Sequence, residues 1–308
     1  VSRRILVSGS NGFIGTALVA VRRSLGDTVA SLVRGPATLP AVSWDDLTPS
    51  AVAGFDAVVH LAGEPLTGRW TAAKKRAIFD SRVGTTAALA SALAREPPGV
   101  FVCASGINFY GDHGDAIVDE TTPAGSSFLA AGCVTWEGAA APLPGRCRVV
   151  HLRTAMVLAA HGGPLATMLP AFRLGLGGPI AGGRRYVSWV TLDDTVRAIG
   201  HAIESPTLVG PANVTAPEPV TNRQFTAALA KAVGRPAIVP VPAWVIRLAV
   251  GELGSETALT SIRAVPRRLT EDWFTFGDVE IGAALRRVLT TEPGRVGPGR
   301  PSGRVSRG

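Results

Sequence analysis

Residues 3–15 read RRILVSGSNGFIG. A short apolar run, Ile5, Leu6 and Val7, passes directly into three glycines spaced three apart, Gly9, Gly12 and Gly15. Phe13, Ile14, Ala17, Leu18 and Val21 then supply an apolar face at helical spacing. The strand before and the helix after give this glycine pattern its meaning. One glycine turns tightly, one lets a pyrophosphate approach the backbone, and one packs helix against strand, while the helix N-terminus faces the phosphates. Gly9, Asn11, Gly12, Phe13, Ile14 and Gly15 are therefore the first candidate cofactor-binding residues, and the ligand they imply is a dinucleotide.

Outward from this turn the first half alternates strand and helix. Strands are expected at 28–33, 42–44, 56–61, 100–104 and 149–152, with a helix over 71–95 between the fourth and fifth strands. That order predicts an α/β fold, a Rossmann-type doubly wound parallel sheet with its ligand crevice at the carboxyl ends of the strands. From Gly162 the texture changes to a glycine-rich loop, a strand-like RRYVSWV and a helix opening at Asp193 or Asp194, with those two acids as its cap. TNRQ at Thr221–Gln224 has the spacing of a capping box. The apolar stretch 239–250 is expected to pack as a helix on the main body. The organisation expected is a dinucleotide-binding domain over 1–160, a smaller substrate lobe over 161–292 into which strands of the main sheet interleave, and a disordered basic tail over 293–308.

The 308 residues are 46% hydrophobic and 18% charged, which describes a folded protein able to bury a large core. A net charge of +8 suggests nucleic acid until its location is considered. Arg295, Arg300, Arg304 and Arg307 place half of it in a Pro/Gly/Ser/Arg tail that has nothing to bury. No interleaved aromatic and basic pattern supports nucleic-acid binding elsewhere. Arginine outnumbers lysine 28 to 3, which discounts any single arginine as a clue. Cys103, Cys133 and Cys147 have neither disulfide parity nor metal-ligand spacing. With no room before the first strand for a signal peptide and no apolar run of membrane-spanning length, the expectation is a cytoplasmic protein with a small-molecule substrate and no membrane partner. The oligomeric state is not legible.

The fingerprint, followed by HLAG at 60–63 and ASGINFYG at 104–111, resembles the extended short-chain dehydrogenases/reductases. HLAGEPLTGRW (60–70), SRVGTT (81–86), Trp136-Glu137, the long block over 168–190 and VPRRL (265–269) resemble, more narrowly, the epimerase-like subfamily with a C-terminal domain of unknown function. The resemblance implies cofactor contacts from Leu61, Ala62 and Gly63 after the fourth strand, from Arg82, and from Val157 after the sixth strand, near the nicotinamide. The alternative reading of Arg82 is a helix-surface charge. Asp46, after the third strand, resembles an acid that touches the adenine amine in relatives, or serves a simple turn. At the end of the second strand, where an NAD-selecting acid would bond the ribose, stands Arg34. A cation there suits a 2′-phosphate and predicts NADP (NADPH) over NAD, unless Arg34 is only a solvated strand end. Trp273 stands where the subfamily pattern leads one to expect a glycine.

The superfamily's hydride transfer uses Ser, Tyr and Lys, with the lysine four residues beyond the tyrosine it activates. Here the residues four beyond Tyr110 and Tyr186 are Gly114 and Val190, and the only lysines are Lys74, Lys75 and Lys231, so YxxxK is absent. The tyrosine's place falls near Phe128, and Gly132 follows it. Ser105 matches the catalytic serine, and Tyr110, five residues on, is the candidate replacement acid; Glu64, Tyr186 and Arg153 are weaker ones. His151 reads as a strand histidine satisfied in the core, and Asp112, His113 and Asp115 as a polar loop. Arg173, Arg184 and Arg185 are candidates for an anionic substrate, or merely solvated. The function expected is an NADP-binding oxidoreductase or epimerase-like enzyme acting by hydride transfer on a small polar substrate. Its alternative is a catalytically weak NADP-binding sensor.

Overall fold

The computed structural model describes residues 2–36, 40–143, 145 and 147–290; the expected tail lies outside the described residues. In chain order the first half runs β1 (Arg4–Ser8), α1 (Phe13–Ser24), β2 (Thr28–Val33), β3 (Ala41–Ser43), β4 (Ala57–His60), α2 (Ala72–Leu93), β5 (Val100–Gly106), a 3-10 turn (Ile107–Tyr110), β6 (Ile117–Val118), α3 (Phe128–Gly138) and β7 (Arg148–Thr154). The second half continues through β8 (Met156–Leu158), α4 (Gly163–Arg173), β9 (Tyr186–Val187), β10 (Trp189–Thr191), α5 (Leu192–Glu204), β11 (Gly210–Val214), β12 (Val220–Thr221) and α6 (Asn222–Val233). It ends with α7 (Ala243–Val250), α8 (Glu252–Glu256), β13 (Arg263–Ala264), α9 (Arg267–Glu271) and α10 (Ile281–Thr290).

Seven strands form one sheet in the order β11-β7-β5-β4-β1-β2-β3, and every neighbouring pair is parallel. Parallel strands need crossovers, and the intervening helices cover both faces. The alternation of side chains shows in β1, where Ile5 and Val7 join the core beneath α1 and α5 while Leu6 joins the core beneath α2 and α3. The strand order turns at β1, with β4 on one side and β2 on the other, so the loops after these three strands open the crevice at the topological switch point. The seventh strand, β11, comes from the second half of the chain. A third core joins α4, α6 and α10 around Leu169, Phe225, Leu285 and the fully buried Trp189.

Two local expectations need correction, and a third holds. The cap of α5 is Thr191, whose hydroxyl accepts the Asp194 amide at 3.3 Å; Asp193 and Asp194 lie inside the helix. Instead Asp194, 1% exposed, accepts the amides of Gly277 and Asp278. The apolar segment 239–250 does form a helix, but α7 has no buried residue, and Trp244 (64%) and Leu248 (80%) face outward. The capping box at Thr221 and Gln224 is present as its spacing predicts.

Candidate active site

Gly9 adopts φ +70°, and a Cβ there would lie 2.8 Å from the Ala62 amide nitrogen. A Cβ on Gly15 would lie 2.1 Å from the Gly9 carbonyl oxygen. The turn therefore closes on itself and on the chain leaving β4, with no volume for side chains. Gly12 caps α1 without a side-chain hydrogen bond, and the first turn of α1 carries no acid, so its amides and positive dipole end are left for an anion. Asn11 and Gly12 are exposed, and Ile14 is half-buried. Phe13 packs over Gly162 and Gly163, where a Cβ on Gly162 would come within 2.4 Å of the ring. These glycines follow β8, which carries the buried Val157. Gly9 thus packs on Leu61 and Ala62, and Phe13 on the glycines after Val157, giving two stretches of a rim, and Arg34 stands exposed just beyond β2. Asp45 and Asp46 are exposed in a turn, with the Asp46 amide donating to the Ser43 carbonyl.

His60 ends β4 beneath this rim. It is fully buried between the Ser8 hydroxyl at Nδ1 (2.5 Å) and the Thr85 hydroxyl at Nε2 (3.2 Å), and burial lowers its pKa to about 4. It is a neutral strut under the turn. Arg82 points inward, donating to the Glu64 carbonyl at 2.9 Å, with its guanidinium 5.2 Å over the Trp136 ring. Its guanidinium also fills the space beside Gly63, where a Cβ would lie 3.1 Å from Cζ. Lys74 binds the Glu64 carboxylate at 2.7 Å and, as the leading cause, lowers its pKa. An ionised Glu64 is an acceptor, not a proton donor.

Ser105, near the end of β5, lies opposite Arg153 of β7 in register. Its hydroxyl donates to Glu137 Oε1 at 2.7 Å, and Arg153 grips the same carboxylate through Nε and Nη2, each at 2.8 Å. The third Arg153 donor reaches the Tyr110 hydroxyl at 3.1 Å. Tyr110 is not placed as a replacement acid would need to be. It is fully buried, its hydroxyl donates to Asn213 Oδ1 at 2.7 Å, and burial pushes its pKa up to about 12. Tyr110 belongs to the floor. Arg153, only 4% exposed and committed to Glu137, is likewise withdrawn from any substrate.

Near the place expected for the tyrosine, the Phe128 ring lies 5.5 Å from that of Trp70 and 5.0 Å from Lys75 Nζ. The space beside Gly132 faces the Phe79 ring. Tyr186 stacks with Arg263, 4.5 Å from its ring centre. His151 is held neutral by burial, but its Nδ1 has no hydrogen-bond partner among the described residues, so it is not the satisfied core residue expected. His113 donates its amide to Ser261 and Asp112 accepts from Gly114, as residues of a loop do. Arg173 and Arg184 are exposed and Arg185 half-buried around the glycine-rich loop. Two residues of the network escaped the sequence reading. Glu137 stood in a quoted motif without a role, and its place on the helix face that holds Cys133 and Trp136 was the available signal. Asn213 left none.

The chain matches the NAD dependent epimerase/dehydratase family over residues 5–215 and the domain of unknown function DUF1731 over 241–288. It is 41% identical over 297 residues to Epimerase family protein MT2273 of Mycobacterium tuberculosis, covering 94% of this chain and 98% of that one. The crystal structure of human epimerase family protein SDR39U1 with NADPH superposes with a TM-score of 0.88 at 34% identity, covering 93% of this chain and 99% of that one. A nucleoside-diphosphate sugar epimerase from Corynebacterium glutamicum gives 0.78 at 32% identity, over 94% of this chain and 58% of its own. With the glycine turn, the seven-stranded parallel sheet and matches along nearly its whole length, this chain belongs to the NAD dependent epimerase/dehydratase family and carries a C-terminal DUF1731 domain.

Proposed function

We propose that the protein is an NADP-dependent oxidoreductase or epimerase-like enzyme that acts on a small polar substrate. The observation that carries the coenzyme choice is Arg34, exposed at the end of β2 beside a closed glycine turn, where a guanidinium fits a 2′-phosphate and an acid would fit a free ribose. The human relative solved with NADPH supports the same choice. In this reading residues 1–160 hold the dinucleotide and residues 161–292 shape the substrate lobe. The first-turn amides of α1 take the pyrophosphate. The backbone at Leu61, Ala62 and Gly63 and the side chain of Arg82 flank it, and Phe13 and Val157 bound its nicotinamide end. The coenzyme, when bound, supplies or accepts hydride at its nicotinamide ring. Ser105 orients the substrate oxygen, and the Glu137–Arg153 pair fixes Ser105. Tyr110 supports that pair from below.

Calorimetric titration of NADPH and NADH into wild-type protein and Arg34→Ala tests the reading. The variant should lose about 10- to 100-fold in NADPH affinity, the worth of about 1.5–3 kcal/mol for charge-assisted bonds, and change little toward NADH. Equal losses for the two coenzymes would remove the phosphate assignment, and no uptake of either would remove the coenzyme site. NADPH binding without turnover across sugar nucleotides, aldehydes and quinones would favour the sensor alternative, which the absence of YxxxK keeps in view.

A further inference from the structure

The direction of the hydrogen bonds at Ser105 selects what can bind there. A serine hydroxyl has one proton and two lone pairs. At Ser105 the hydroxyl hydrogen points to Glu137 Oε1, with the two oxygens 2.7 Å apart, in a charge-assisted bond. Both oxygens of the carboxylate also accept from Arg153, Oε1 from Nε and Oε2 from Nη2. Arg153 is itself immobilised, stacked 3.4 Å from the Phe109 ring centre and bonded to the Tyr110 hydroxyl. Turning the Ser105 hydrogen toward the crevice would set its oxygen lone pairs against the Glu137 carboxylate inside a nearly closed site, where the side chains of Glu137 and Arg153 are 13% and 4% exposed.

The neighbouring hydrogens are committed in the same way. The Tyr110 hydroxyl donates to Asn213, and the Cys133 thiol, which burial keeps neutral, points at the Gly106 carbonyl. The hydroxyl and thiol hydrogens around Ser105 thus point to other acceptors, and what Ser105 itself offers a substrate is its lone pairs.

We propose that Ser105, polarised by the Glu137–Arg153 pair, is a hydrogen-bond acceptor toward the substrate, so that the site recognises a hydroxyl group and selects the alcohol member of an alcohol/carbonyl pair. The inference rests on the placing of Ser105 at the substrate position in the reading above, and Glu137 acts in it as a positioning residue. A carbonyl compound presented to the same point loses its hydrogen bond and meets a like dipole.

The test uses matched pairs in which only the alcohol has an O–H to donate: propan-2-ol and acetone, cyclohexanol and cyclohexanone, 1-phenylethanol and acetophenone. Dissociation constants are measured by saturation-transfer NMR on the full-length protein, with and without NADP+, whose own uptake is measured separately by calorimetry. Wild-type protein should bind each alcohol about three- to tenfold more tightly than its ketone, as one net hydrogen bond of about 1 kcal/mol requires. Ser105→Ala, which removes only the hydroxyl, should bring the ratio to about one. Glu137→Ala, which removes the acceptor and frees the serine hydrogen to turn toward the crevice, should lower it toward or below one. A purely structural Glu137 would lower the melting temperature without moving the ratio. Ketone preference in the wild type, a ratio unchanged in Ser105→Ala, or no alcohol binding that depends on Ser105 would overturn the proposal. Failure of NADP+ uptake with the alcohol preference intact would instead overturn the coenzyme reading.

Discussion

Trp273 holds φ +63° with its side chain 91% exposed. A left-handed backbone costs an L-residue about 1–2 kcal/mol, and an exposed indole returns little packing to offset it. The subfamily resemblance leads one to expect glycine here, and the backbone supplies the reason, since the turn from α9 needs a positive φ before the chain drops Phe274 and Phe276 into the core. Those two rings lie 4.8 Å apart, edge to face, in a packed loop. Trp273→Gly should therefore raise stability by about 0.5–1 kcal/mol, the strain relieved less the added entropy of an unfolded glycine. Chemical denaturation of the two proteins checks it, and a destabilised variant would mean that the indole has a partner.

Between elements, the DUF1731 segment is fastened to the main body through α5. Asp194 receives the Gly277 and Asp278 amides and an Arg197 contact at 2.5 Å. Arg287 of α10 bridges Asp193 and Asp278, and the Thr191 hydroxyl donates to Asp278 at 2.8 Å. Burial raises the Asp194 pKa, and the two amides and Arg197 oppose that rise. Asp194→Ala leaves two buried amides unpaired and should cost about 2–4 kcal/mol, seen as a lower denaturation midpoint. A loss under about 0.5 kcal/mol would show that the latch is not coupled to folding. Helix α7 takes no part in this fastening. Its apolar composition suggested burial, yet composition does not say which elements lie opposite, and Trp244 and Leu248 are left exposed.

For the molecule as a whole, the buried histidines link stability to pH. His60 has its pKa lowered to about 4, and burial also lowers that of His151. Below the ordinary value of about 6.5 the unfolded chain takes up protons that the folded chain refuses. The His60 contribution is thus fully present above pH about 6.5 and is lost as the pH falls toward about 4, amounting to about 3 kcal/mol at most. Urea melts between pH 7.5 and 4 should show wild-type stability falling more steeply than that of His60→Asn. Parallel profiles would show that His60 does not carry the linkage. Among the described residues no helix is long and apolar enough to cross a membrane.

The glycine turn, the order of the early strands and the place of Arg34 were legible in the sequence, because each depends on local spacing: period-two and 3.6-residue apolar patterns, and a backbone that only glycine allows. The partners of Ser105 were not. Glu137 and Arg153 lie 32 and 48 residues beyond it, on a helix and a neighbouring strand that only the folded sheet brings together. Tertiary structure likewise decided that Tyr110 is a buried prop and that Asp194 is a latch. The direction of a hydrogen bond and the burial of a charge depend on what lies across space, and spacing along the chain does not encode that.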